Sequence, residues 1–334
     1  MPATKGKDKK VDSALSAILS TSTPRPSIDN WLEQGRKEQA MASDTHGDIV
    51  FIKANGQRLE TLIAGKGGKK LAVLLHGFPE SHHSWRFQIP LLVKLGYEVW
   101  APNLRGYGQS SKPTHLRDYA IEPLMEDVAQ LMDQASDGRP VTLIAHDWGA
   151  LIAWAFAASN QRPFERLVIL NVPHPARLAE GLRTWRQIKK SWYVFFFQLP
   201  WLPEKLMAAG GAQAIGRAFS ALAMDQTNFG PQILQVYRDN ALIPGALTAM
   251  VNYYRAAAQT SGLANFTRDK VAPIRVQTLM IWGEEDLALG VELTDGYEGL
   301  VEDFTLIRLK GVGHWVQQEA PEAVNQHLEA WLTG

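Results

Sequence analysis

The sequence predicts an α/β fold: a doubly wound, mostly parallel sheet of about eight strands flanked by helices, with a helical cap inserted into it. Three observations carry that expectation. Short apolar runs rich in β-branched residues recur along the chain, amphipathic helical patterns lie between them, and the alternation breaks once, over residues 173–267. The 334 residues suit one large domain carrying a smaller inserted one.

Taken in order, residues 1–45 read as a partly disordered N-terminal extension. A basic cluster over 5–10 precedes an apolar piece over 14–19 that is shorter than a signal h-region, and the polar run 21–27 follows. Asp8 and Asp12 argue against an organelle transit peptide. Residues 49–53 and 58–63 then flank Asn55-Gly56, the strongest short hairpin signal a sequence offers, and form the antiparallel entrance to the sheet. The runs 71–75, 97–101, 141–145, 167–171, 276–282 and 304–309 have the near-continuous apolar character of buried parallel strands. Between them Ile121, Leu124, Met125, Val128, Leu131 and Met132 recur at the spacing of one helix face. The sheet core therefore covers 46–172 and 268–334. Residues 173–267 carry no parallel-strand signal but do carry aromatic helical stretches at 185–197 and 248–258, which is the cap.

Composition narrows the partners. Lysine plus arginine equals aspartate plus glutamate at 34 each, so no global positive field draws nucleic acid or an anionic membrane surface. Cysteine is absent, which removes thiolate nucleophiles, disulfides and thiolate-bound metals. No apolar stretch reaches the roughly 20 residues of a membrane span. A cytoplasmic protein acting on a small molecule is expected, without metal or cofactor; the sequence leaves the oligomeric state open. His76, His82 and His83 lie close together, but nothing completes a metal-ligand spacing around them. The string Gly65-Lys66-Gly67-Gly68-Lys69 precedes a strand instead of opening a helix, so it reads as a solvated turn and not a phosphate loop.

Ligands of an open α/β sheet bind beyond the carboxyl ends of the strands, so the polar residues that follow each strand matter most. Ala145 to Gly149 has the form small-x-nucleophile-x-glycine between a strand and a helical run, with Asp147 in the centre. Taken alone, Asp147 is equally an ordinary helix N-cap. Asp286 follows the seventh strand and His314 the eighth, in the order nucleophile, acid, histidine. Each has a bland alternative, a cap for Asp286 and a structural imidazole for His314. Three such residues at one sheet edge in that order favour catalysis.

With His76-Gly77-Phe78-Pro79, Arg105-Gly106-Tyr107-Gly108, His146-Asp147-Trp148-Gly149, Asn171-Val172-Pro173-His174-Pro175 and Gly313-His314-Trp315-Val316-Gln317-Gln318, the chain resembles the epoxide hydrolases of the α/β-hydrolase superfamily from about residue 44 to its end. Asn103 and Ala145 depart from the family pattern without removing a catalytic group. The resemblance implies an α/β-hydrolase fold. It also implies that Tyr193 and Tyr254 polarise the epoxide oxygen, that the N–H groups of Phe78 and Trp148 form an oxyanion hole, and that Pro79 follows a cis peptide bond. Tyr253 and Tyr237 compete for the tyrosine role. A small apolar epoxide would then meet His146, Trp148, Phe78, Phe197 and Trp315, while Trp192, Phe195, Phe196 and Trp201 either line the pocket or pack the cap.

The chemistry explains the set. A serine attacking an sp³ carbon leaves an ether that water does not cleave, whereas an aspartate leaves an ester that water hydrolyses. Ring opening needs an acid, which two phenols supply, and ester hydrolysis needs a base, His314 oriented by Asp286. A dehalogenase uses the same aspartate, but the haloacetate enzymes carry Arg after it, where this chain has Trp148. The haloalkane enzymes commonly have Asn where this chain has Phe78. A non-catalytic receptor or carrier on this fold usually has a broken triad.

Overall fold

Asn55 and Gly56, both at positive φ (50° and 69°), reverse the chain between β1 (Gly47–Ala54) and β2 (Gln57–Ala64). The computed structural model describes residues 47–260 and 265–334, so the expectations placed on the N-terminal extension lie outside the described residues. β2 pairs antiparallel with β1 on one side and β4 (Tyr97–Pro102) on the other. The remaining strands, β3 (Lys70–Leu75), β5 (Val141–His146), β6 (Arg166–Leu170), β7 (Gln277–Gly283) and β8 (Phe304–Leu309), run parallel in one eight-stranded sheet of order β1-β2-β4-β3-β5-β6-β7-β8. β6 stops at Leu170, which leaves Asn171 just beyond the sheet at φ 48°.

Three helices cross over between these strands: α1 (Gln88–Lys94), α2 (Ile121–Ala135) and α3 (Asp147–Ser159). All six apolar positions predicted for α2 are buried, and each buried aliphatic side chain of this kind contributes on the order of 1.5–3 kcal/mol. Between β6 and β7 the chain forms α4 (Pro175–Gly181), α5 (Trp185–Lys190), α6 (Trp192–Phe196), α7 (Leu202–Leu222), α8 (Pro231–Leu242) and α9 (Ala246–Gln259). The stretch 185–197 is thus two helices, not one, with the break at Ser191. α7 is itself interrupted at residues 209–212, where Gly210 and Gly211 take φ of 62° and 69°. The chain closes with α10 (Val316–Glu319) and α11 (Pro321–Thr333).

Strand side chains alternate between the two faces with a period of two. Leu71, Val73 and Leu75 of β3 join the core cluster of α2, α3 and the cap helices, whereas Ala72 and Leu74 join the cluster formed by α1 and α11. The helical segment is tied down at one edge by an aromatic column: the Phe219 ring lies 4.4 Å from both Tyr237 and Trp315. The Tyr237 hydroxyl and the Arg86 guanidinium both donate to Gln318 Oε1, each at 2.7 Å.

Candidate active site

β5 ends at His146 and α3 begins at Asp147, whose φ of +48° lies in the left-handed region. Such a conformation costs a non-glycine residue on the order of 1–3 kcal/mol and persists only where its surroundings enforce it. The enforcement is visible in two glycines. A Cβ on Gly77 would lie 2.2 Å from the Cβ of Asp147, and one on Gly149 would lie 2.2 Å from the carbonyl oxygen of Leu75. The Gly149 N–H donates to His76 O at 3.1 Å, locking the elbow onto the loop after β3. In that loop the Phe78–Pro79 peptide is cis, and the Phe78 N–H donates to Asp147 Oδ1 at 2.6 Å. Trp148 lies in the first turn of α3, where helix N–H groups lack intrahelical partners.

Asp147 Oδ2 faces His314 Nε2 at 3.6 Å, an ion-pair separation beyond a direct hydrogen bond. The other ring nitrogen of His314, Nδ1, donates to Asp286 Oδ2 at 2.7 Å. Asp286 is itself saturated. Asn171 Nδ2 donates to Oδ2 at 2.8 Å, and the N–H groups of Ala288 and Leu289 donate to Oδ1 at 2.7 and 2.9 Å. Burial would raise the Asp286 carboxyl, but His314 and these donors outweigh it and hold it below the usual carboxylate range. Burial likewise opposes a proton on His314. The carboxylates of Asp286 and Asp147 prevail and hold the imidazole well above its ordinary value.

A cavity of about 450 Å³ and another of about 350 Å³ share Asp147, Tyr193 and Tyr254 as lining residues. The larger is walled by Trp148, Leu151, Val172, Leu178, Ala257 and Leu289, the smaller by Phe78, Lys190, Phe197, Leu222, His314 and Trp315. Tyr193 on α6 and Tyr254 on α9 set their rings 5.9 Å apart at 82°. Burial first, and then the Asp147 carboxylate, hold both phenols above their ordinary value, so both keep their protons. The competing tyrosines are committed elsewhere: the Tyr253 hydroxyl donates to Arg105 O and that of Tyr237 to Gln318, each at 2.7 Å.

One expected substrate contact is corrected. His146 is fully buried and lines neither cavity. Its Nδ1 lies 2.8 Å from Glu80 Oε2 and its Nε2 lies 2.9 Å from His314 O. Successive strand residues point to opposite faces, so the neighbour of an outward-facing nucleophile points away from it. His146 instead braces the backbone of His314. Phe78, Trp148, Phe197 and Trp315 do line the cavities, as do the rims of Trp192 and Phe195, whereas Trp201 lines neither.

Two residues take parts at the site that the sequence reading did not assign. Asn171 carries Asp286 and accepts from the Gly283 N–H at 2.7 Å; its position directly after β6 was the available signal. Glu80 gathers Gly77 N–H, His146, Gln317 and Gln318 around one buried carboxylate at 2.8–3.1 Å. Burial would raise this carboxyl, but the His146 ring and the Gly77 N–H bring it down to about 2. His76 plays a similar bracing part: its Nε2 accepts from Leu104 N–H at 3.0 Å, and burial draws its pKa to about 4.

A protein-family model described as the α/β-hydrolase fold matches residues 71–321. Human epoxide hydrolase 4 is 34% identical over 289 residues, 85% of this chain and 78% of that protein. The AB hydrolase superfamily protein YfhM of Bacillus subtilis is 36% identical over 283 residues, 84% of this chain and 96% of that protein. Among solved structures, an epoxide hydrolase of Bacillus megaterium in complex with an inhibitor aligns with a TM-score of 0.76 at 29% identity, covering 85% of this chain and all (100%) of that one.

Proposed function

The chain belongs to the epoxide hydrolases of the α/β-hydrolase family, and on that premise we propose the part each residue takes in hydrolysing a small apolar epoxide to a vicinal diol. The observation that carries the assignment is the convergence of Asp147, His314 and two protonated phenols on one pair of apolar cavities.

Because Oδ1 of Asp147 is held by the Phe78 N–H, Oδ2 is the attacking oxygen. It forms a bond to one epoxide carbon while the C–O bond of the ring breaks, and Tyr193 and Tyr254 donate to the departing alkoxide. Acid catalysis of this kind contributes typically about 10²–10⁴-fold. The product is a hydroxyalkyl ester on Asp147 whose carbonyl oxygen, Oδ1, already sits against the Phe78 N–H. Ester formation also removes the Asp147 charge, one of the causes that keep a proton on His314. The imidazolium gives up its proton through solvent, restoring the one a phenol passed to the alkoxide. The neutral imidazole then takes a proton from water as hydroxide adds to the ester carbonyl. The acyl C–O bond breaks with the departing oxygen taking the hydroxyl proton, which leaves the Asp147 carboxylate, the imidazolium and the diol. The N–H groups of Phe78 and Trp148 meet the intermediate oxyanion, each worth on the order of 3 kcal/mol in comparable sites.

The segment 173–267 serves as the cap over the core of 46–172 and 268–334. It supplies both phenols and most of the apolar wall. Phenol donors suit an alkoxide, whereas the dehalogenase alternative would put a halide between them. Styrene oxide turnover in the full chain tests this. Tyr193→Phe and Tyr254→Phe should each lower kcat about 10–100-fold, and the double variant should fall further. Unchanged kcat in both single variants, or release of chloride from a chloroalkane faster than diol from styrene oxide, would overturn the assignment.

A further inference from the structure

The overall balance of 34 cations against 34 anions conceals a local segregation. Residues 181–203 hold Arg183, Arg186, Lys189 and Lys190 and no aspartate or glutamate. The same stretch departs from the usual placement of aromatics. Trp185, Trp192, Phe195 and Trp201 are 69%, 65%, 63% and 66% exposed, and Leu182, Leu199 and Leu206 beside them are exposed too. Six of the thirteen large apolar side chains exposed among the described residues fall within 181–203 and Leu206 lies just beyond, so the feature is concentrated in this segment. Exposed apolar groups concentrated in this way mark an interaction surface.

We infer that this face of α5, α6 and the start of α7 docks on an anionic phospholipid bilayer. Trp185 and Lys189 stand at i and i+4 on α5, with the Lys189 ammonium 5.4 Å from the Trp185 ring centroid, and Trp192 opens α6 just beyond them. Tryptophan and phenylalanine interleaved with lysine and arginine form the composition that settles at a headgroup boundary, the rings among the acyl chains and the cations at the lipid phosphates. Arg186 is paired with Glu292 at 3.3 Å, Lys190 donates to Asp286 O, and the Asp269 carboxylate interacts electrostatically with Arg183, so Lys189 is the cation best placed for headgroups. A second copy of the chain fits this face poorly, because a two-fold contact would set Lys189 and the acid-free stretch around it against their own counterparts.

The position of the patch gives docking a consequence. Leu182 and Phe195 are exposed and line the larger cavity, while Trp192 and Leu287 are exposed and line the smaller. The proposed contact therefore borders both cavities, through Leu182 and Phe195 at the larger and Trp192 at the smaller. Docking itself does not depend on the chemistry assigned to the site.

Vesicle flotation of the full chain tests it, with phosphatidylcholine alone and with equal parts phosphatidylcholine and phosphatidylglycerol, at low and high salt. The docked surface predicts binding to the anionic vesicles that weakens with salt. It also predicts about a tenfold fall in partitioning for Trp185→Ser/Lys189→Glu, rescue by Trp185→Phe, and a comparable fall for Trp201→Ser, with thermal melts confirming that the variants fold. Absence of binding would overturn the inference. So would binding that both variants retain, which would assign it to another element such as the basic cluster 5–10. Self-association that the variants abolish, without vesicle binding, would assign the face to a second copy.

Discussion

At the scale of single residues, the pairing of His314 with two carboxylates decides when it is a base. In the free protein both charges favour the imidazolium; in the ester only Asp286 remains ionised beside it. Hydrolysis of the ester should therefore slow as pH falls through the value of His314 in the intermediate, while ester formation does not share that limb. Rapid-quench measurement of the two steps across pH checks this; parallel profiles would contradict it. His314→Gln should stop after one equivalent, leaving the chain heavier by the mass of one epoxide in intact-mass spectra, whereas continued turnover would remove His314 from the base role. The triad was legible in the sequence because each member follows an apolar strand, and strand ends converge in this fold. The part of Asn171 was not, although it too follows a strand, because an amide has no chemistry of its own to mark it as the support of Asp286; that of Glu80 was not, because it follows no strand directly and its partner His146 is 66 residues away.

At the scale of elements, the strand-to-helix elbow is held by close approach more than by propensity. Gly149→Ala would drive a Cβ to 2.2 Å from backbone, where neither neighbour is a flexible side chain that can yield. A loss of about 1–3 kcal/mol in denaturant stability, together with loss of Asp147 reactivity, is expected; a fully active, equally stable variant would mean that the elbow is not under this constraint. The parallel strands inside the sheet were readable because both their faces are covered, which forces near-continuous apolar runs, whereas the edge strand β8 is only half-buried. The helices of 173–267 were readable only as helical. At the break beside Ser191, Gln187 donates locally to Ser191 Oγ at 3.0 Å and also to Ala288 O at 2.9 Å, 101 residues away, a tie that no local pattern encodes.

At the scale of the whole molecule, the buried charges that assemble the site also set its response to pH. Glu80 and Asp286 are lowered, so their contribution to stability is present above their ordinary values of 4.5 and 3.8 and is lost as pH falls, in the case of Glu80 toward about 2. His314 is raised, so its contribution is complete below its ordinary 6.5 and fades as pH climbs through the higher folded value. Urea midpoints across pH should decline on the acid side, and Glu80→Gln should flatten that limb; an unaltered limb would show that Glu80 is not linked to folding. The same convergence of β3, β5, β7 and β8 on one edge makes a single chemical claim for the whole protein, that an oxygen of Asp147 leaves with the product. A single turnover of styrene oxide in H₂¹⁸O, followed by peptide mass spectrometry, tests it most directly. The account predicts diol without label and label in the Asp147 carboxylate, absent from Asp147→Ala. Label in the diol with none in Asp147 would mean direct attack by water and would contradict it.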